Sequence, residues 1–399
     1  MDDGLELAWR PFAFRLPRQL VTAHGALAQK RGWLLRLQAA DGRLGWGEAA
    51  PLEPQAPGAG VSQPQGSQGQ SPQDQAPQDQ GSPVQSFQAQ GARFQYAPGQ
   101  GSQPQQPNGH GACAAAIAAL GPRLERRVLE QALPQLPGPL AFALGLALAE
   151  LDGLGSPAQG GWLAAPPSAE LLPAGAAALT ALDALLQEWP LDQAASPSPG
   201  GDAQVPATEP PGQGIAPLTV KWKVAAGADA EERAVLEQLL ARLPAGCKLR
   251  LDANGGWDRP TAQAWAERLA GDPRLDWLEQ PLSVADPEGL KRLAALVPVA
   301  LDESLRADPA LAQRWSGWQV RRPASEGDPR PLLAALQAGT PNLCLSTALE
   351  TGIGRRLLAH LAALQAQGPT PTAPGLAPGW RPQGELFAAD PEQVWGAVG

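Results

Sequence analysis

The chain has 399 residues with 39 acidic and 30 basic side chains, a formal net charge of -9, so it lacks the basic surface that a phosphate backbone demands, which argues against nucleic acid as a partner. The three cysteines, Cys113, Cys247 and Cys344, are odd in number, far apart and without a CxxC pair, a usage that fits a reducing cytoplasm rather than a disulfide frame or a zinc knuckle. The opening MDDGLELAWRPF is acidic where a signal peptide is basic, and no apolar run approaches membrane-spanning length, so a soluble cytoplasmic protein without a membrane partner is expected.

In chain order, PFAFRLP and then WLLRLQAADGRLGWGEAAPL read as extended segments, the latter two strands folded about an Asp41-Gly42 turn. Residues 54–108 are almost wholly Gln, Pro, Gly and Ser; with so little to bury they are expected to be a disordered insert. Residues 114–132 and 139–154 are Ala/Leu-rich at helical spacing and are expected to pack as helices on the N-terminal sheet. A second stretch of insert character covers about 192–216. From 217 onward, PLTVKWK, CKLRLDAN, RLDWLEQP, VPVALDES, GWQVRRP and NLCLSTALE follow one another. Their polar ends at 223, 252, 279, 302, 322 and 346 are 20 to 29 residues apart. Repeated β-α units of that length predict a parallel sheet with right-handed crossovers, most simply a modified (β/α) barrel of the TIM type. The domain plan is therefore an α+β capping domain from 1–53 and 109–160, completed by a tail at about 370–399, and a β/α barrel over 161–369.

Active sites of such barrels lie at the carboxyl ends of the strands. There Asp252, Glu279 and Asp302 close three consecutive predicted strands. Any one alone reads as a helix cap or a solvated loop charge; three in succession imply a cation, and oxygen-only ligation suits Mg2+. One strand earlier, Lys221 and Lys223 are two apart and share a strand face. They could be surface lysines on an edge strand. Yet lysine occurs only at 30, 221, 223, 248 and 291, and a buried lysine beside a cation takes up a proton where Arg cannot.

KxK followed by the acids of LDAN, LEQP and LDES resembles the enolase superfamily, muconate-lactonizing subgroup, whose sites pair a Lys or His base with Mg2+. Within it, RPFAFRLPRQLVTAHG, GWGEAAPL, QVRRPASEGDP, LSTALETGIG and TAPGLAPGW are similar to the cyanobacterial type of the o-succinylbenzoate synthase family. The resemblance spans the chain apart from the two inserts. It implies a hydro-lyase of menaquinone or phylloquinone biosynthesis that dehydrates 2-succinyl-6-hydroxy-2,4-cyclohexadiene-1-carboxylate to o-succinylbenzoate. Asp252, Glu279 and Asp302 would hold Mg2+, with Mn2+ a substitute, and Asn254 and Glu303 would support them. Lys223 would be the general base of a syn elimination and Lys221 its cationic neighbour. Ser346 and Thr347 would hold a substrate carboxylate, the segment with Thr22 and His24 would lie close to substrate, and Gly47-Glu48 would secure the cap.

One position departs from the subgroup. Where relatives carry a further Lys in a KP pair, this chain reads Arg321-Arg322-Pro323. Arg is a poor acid or base, so Arg322 disfavours racemisation while still suiting a one-face dehydration as a cation over the developing anion. Alternatively it merely pairs with an acid such as Glu326 or Asp328. The competing functions are an N-succinylamino acid racemase or dipeptide epimerase of the same subgroup, and a non-catalytic scaffold. The oligomeric state is not legible.

Overall fold

The computed structural model describes residues 4–22, 25–53, 109–189 and 218–398; both expected inserts lie outside the described residues. The N-terminal strands are β1 (Gly4–Thr22), β2 (Gly25–Ala39) and β3 (Leu44–Ala49). The β2–β3 hairpin turns where read, with Gly42 at φ +86 and Asp41 accepting the Arg43 N–H at 3.1 Å. β1 buries both faces. Its odd-numbered Leu5 and Leu7 enter the core with the following helices, whereas Phe12, Phe14 and Leu16 enter the core facing the barrel.

The first expected helix, 114–132, is in fact two: α1 (His110–Leu120), then a short β4 (Arg123–Glu125) that pairs with β1, then α2 (Arg126–Ala132). Gly121, at φ +69, followed by Pro122 ends α1, because Pro lacks the N–H that would continue the ladder. Helix α3 (Gly138–Leu151) is apolar all round, with twelve of its fourteen residues buried. It is accordingly sandwiched between the N-terminal sheet and the barrel.

Seven parallel strands follow: β5 (Glu170–Leu172), β6 (Thr219–Lys223), β7 (Lys248–Asp252), β8 (Leu275–Glu279), β9 (Val299–Leu301), β10 (Trp318–Arg321) and β11 (Leu343–Leu345), hydrogen-bonded in that order. Helices α4 (Ala177–Glu188), α5 (Asp229–Arg242), α6 (Arg259–Leu269), α7 (Pro287–Ala294), α8 (Glu303–Ala307), α9 (Pro323–Glu326), α10 (Arg330–Gln337) and α11 (Gly352–Ala366) lie in the connections, and α12 (Pro391–Gly396) comes last. Asp258, Asp286 and Thr351 cap α6, α7 and α11 through their side chains. No helix among the described residues is long and apolar enough to cross a membrane.

No barrel strand was expected ahead of β6. β5 is three residues long and stops at Pro173, too short to show a pattern. The ring is completed by a segment that is not a strand. Gly375 bridges Ser346 just past β11, its N–H bonding Leu345 O at 2.7 Å, while Pro374 O accepts the Ala169 N–H beside β5 at 2.9 Å. Ser168 Oγ donates to Pro374 O at 2.7 Å and accepts the Leu376 N–H at 2.9 Å. Part of the tail assigned to the cap thus serves as the eighth stave of the barrel. The remainder packs on the N-terminal sheet, where Arg10 donates to the carbonyls of Trp395 and Val398 at 2.8 Å each.

Candidate active site

Strand alternation sets the site. Trp222, fully buried, points outward against Trp265, so Lys221 and Lys223 project from the other face of β6, into the barrel mouth. Asp252, Glu279 and Asp302 stand at the ends of the next three staves, 7%, 1% and 2% exposed. Lys221 Nζ lies 2.8 Å from Asp252 Oδ2 and 2.6 Å from Glu279 Oε1. Burial opposes its charge, but these two carboxylates outweigh that and hold its pKa above the usual lysine range. Lys221 therefore stays an ammonium, against the lowered pKa expected of a lysine base and in keeping with a cationic neighbour. Lys223, at the strand end, pairs in register with Asp252.

Across the mouth, Arg322 clasps Asp302. Its Nη2 is 2.6 Å from Oδ2, its Nε 3.2 Å from both oxygens, and its Nη1 donates to Thr347 O at 2.9 Å. Burial would raise the Asp302 pKa, but Arg322 holds it down to about 2. The guanidinium's acid is thus Asp302 rather than Glu326 or Asp328, which pair with Arg321 and Arg330, although Glu326 accepts the Arg322 backbone N–H. Although Asp302 precedes α8, its side chain caps nothing. In a ring of eight staves, β6 and β10 are four apart, so the lysines and Arg322 face each other over the row of acids.

Asn254, at φ +46, donates to Glu303 Oε1 at 3.2 Å. Burial, with Asp302 and Asp252 nearby, pushes the Glu303 pKa up to about 7. Gln280, not anticipated, is wholly buried and holds the backbone N–H groups of Asp302 and Ser304 at 3.3 and 3.0 Å. Ser346 and Thr347 follow β11 at the same end of the barrel. The Ser346 N–H is spent on Arg321 O of β10, the Thr347 N–H on Gly375 O of the eighth stave, and the Thr347 hydroxyl on Glu350. They have no backbone donor left for a ligand. Thr22 ends β1, but its side chain, and the whole of His24, lie outside the described residues. Glu48 does reach the barrel, accepting the N–H groups of Thr351 at 2.8 Å and Gly354 at 3.0 Å.

An enolase C-terminal domain-like family profile matches residues 213–315. An o-succinylbenzoate synthase from Thermosynechococcus vestitus is 44% identical over 154 residues, 36% of this chain and 48% of that protein. A hydrophobic dipeptide epimerase from a Flavobacteria bacterium is 37% identical over 97 residues, 24% of this chain and 28% of that protein. The chain thus spans about half or less of the length of these relatives. Among solved structures, o-succinylbenzoate synthase from Thermosynechococcus elongatus BP-1, complexed with Mg in its active site, superposes with a TM-score of 0.67 at 27% identity, covering 98% of this chain and 100% of that one. By fold and strand-end residues, the chain resembles the enolase superfamily.

The residues fit the hard cation of that superfamily. The donor set is oxygen only, three buried carboxylates on adjacent staves, and burial together with repulsion from Asp252 and Asp302 raises the pKa of Glu279. Glu303 Oε2 and Asn254 Oδ1 beside them are buried without a hydrogen-bond partner among the described residues, acceptor capacity that a hydrated cation satisfies. Among the described residues no three His, Cys, Asp or Glu side chains close into a coordination cage. The ammonium of Lys221 and the guanidinium of Arg322 engage the acids instead.

Proposed function

We propose that the chain is a Mg2+-dependent hydro-lyase that converts 2-succinyl-6-hydroxy-2,4-cyclohexadiene-1-carboxylate to o-succinylbenzoate in the cytoplasm, on the route to menaquinone or phylloquinone. The observation that carries this reading is the row Asp252, Glu279 and Asp302 between Lys221 and Arg322, in a chain that is 44% identical to an o-succinylbenzoate synthase over the matched part. The reading includes the division into a capping domain and a barrel. Asp252, Glu279 and Asp302 would hold the cation, supported by Asn254 and Glu303. Bound there, Mg2+, or Mn2+ in its place, supplies stabilisation of negative charge developing on the substrate carboxylate.

The chain's own residues do the rest. Lys223 Nζ takes the proton from the carbon bearing the carboxylate; the C–H electrons form the new ring double bond as the C–O bond breaks. The same ammonium returns the proton to the departing hydroxyl, which leaves as water. Lys221, kept charged by its two carboxylates, and Arg322, anchored on Asp302, supply fixed positive charge around the developing anion. A guanidinium clasped in this way offers no second base on the opposite face, which is why the dehydratase reading is preferred over the epimerase suggested by the Flavobacteria relative.

The test is steady-state turnover with Mg2+ against EDTA, for wild type and Lys223→Ala. Metal-dependent turnover lost by about a thousandfold or more in the variant supports the reading. No turnover by wild type, or inversion with solvent exchange on a dipeptide in D2O, overturns it.

A further inference from the structure

A cavity of about 110 Å³ opens directly beside Thr347, the residue whose carbonyl receives Arg322. Leu358, Leu376 and Trp380 give it apolar walls, and two guanidinium-bearing residues, Arg355 and Arg381, also line it. Arg355 is half-buried, yet among the described residues its side chain makes no hydrogen bond and no ion pair. Arg381 donates to the Phe387 carbonyl. The one acid in the wall, Glu350, is committed: Oε1 accepts the Ala348 N–H at 2.7 Å and Oε2 the Thr347 hydroxyl. β1 passes near Trp380, its Arg18 guanidinium 5.9 Å from the ring centre.

The Arg355 guanidinium is half-buried with its nitrogens still open to solvent, so its donors are available to a ligand entering the cavity. Planar Arg matches a carboxylate through two parallel N–H bonds. The substrate class proposed above carries two carboxylates, of which the strand-end cation accounts for one, and the backbone donors of Ser346 and Thr347 are already spent. We infer that this cavity is a carboxylate subsite in which Arg355, aided by Arg381, binds the distal carboxylate of a substrate tail lying over Thr347. The inference rests on the dehydratase reading for the identity of that tail. The electrostatics are mixed: burial and the neighbouring charge of Arg381 lower the pKa of Arg355 while Glu350 raises it, and a bound anion adds to the attraction from Glu350. The volume admits a short chain of several water-sized groups, and the apolar lining of Leu358 and Leu376 suits the methylenes that precede the carboxylate.

The experiment is calorimetric titration, at fixed Mg2+, of o-succinylbenzoate and of its analogue with the tail carboxylate replaced by a carboxamide. The proteins are wild type, Arg355→Met and Arg355→Lys, with steady-state kinetics alongside. Wild type is expected to bind the acid at least about tenfold more tightly than the amide, Arg355→Met to bind both alike, and Arg355→Lys to fall between. In kinetics, Arg355→Met raises KM about tenfold and leaves kcat within about threefold. Equal binding of acid and amide by wild type, binding of neither, or a preference that survives in Arg355→Met overturns the subsite. Absence of turnover with an intact, Arg355-dependent acid preference instead leaves the subsite standing and removes the dehydratase reading.

Discussion

Gln280 illustrates how much of the site is built by residues that touch no substrate. Its amide oxygen receives the N–H groups of Asp302 and Ser304, and its NH2 donates to Leu282 O at 2.9 Å and Ser304 Oγ at 2.8 Å. At φ +38 it bends the chain sharply after β8, a costly conformation that such sites tolerate. Gln280→Leu is expected to weaken Mg2+ binding about 10- to 100-fold, read from metal titration of turnover. His360 makes a different prediction. Burial lowers its pKa, and Nδ1 accepts the Leu163 N–H at 3.2 Å, which requires neutral imidazole. The unfolded chain, titrating near 6.5, then binds more protons than the folded one, so stability falls as pH drops through that value, by up to about 1.4 kcal/mol per pH unit. Urea unfolding at pH 7.5 and 5.5 should show this in wild type and less of it in His360→Gln. The acids and the KxK pair were legible because each ends an apolar run. Arg355 and Gln280 were not: nothing local distinguishes a cavity-lining Arg in ETGIGRR or a buried Gln in LEQP from solvated ones.

Among elements, α3 and β3 approach so closely that a Cβ on Gly45 or Gly47 would strike the backbone of Ala147 or Ala143. Two glycines at alternate strand positions therefore face two alanines one helical turn apart. Gly47→Ala is expected to cost about 1–3 kcal/mol or more in urea unfolding. The hairpin is also tied to the turn before α11. Lys30 Nζ donates to the carbonyls of Ala348 at 2.6 Å and Leu349 at 3.0 Å, with Glu48 Oε1 4.0 Å away. Lys30→Met strands a buried carboxylate and should cost about 3–5 kcal/mol, while adding Glu48→Gln recovers part of it. The hairpin, α3 and six of the seven barrel strands follow the periodicity read from sequence. The division of the first helix was visible in principle at Gly121-Pro122, where the Ala/Leu composition on either side masked it.

For the whole molecule, a cation that binds only the folded barrel must raise its melting temperature. At a hundred times its Kd, Mg2+ adds about 2.7 kcal/mol, so scanning calorimetry in Mg2+ against EDTA should separate the wild-type curves and leave Asp252→Asn unmoved. The architecture was readable because repeated units announce a barrel; its last stave was not, since TAPGLAPGW has two prolines and no alternation. That stave joins Ser168 and Ala169 to Pro374 across more than two hundred residues. During synthesis, β5 and β11 must accordingly wait with open edges until residue 376 has left the ribosome, and an unpaired edge is an invitation to other chains. Sealing the barrel and lining the arginine cavity are then one late event in the life of the nascent chain, so the protein acquires its protection against misassembly and its full binding surface together.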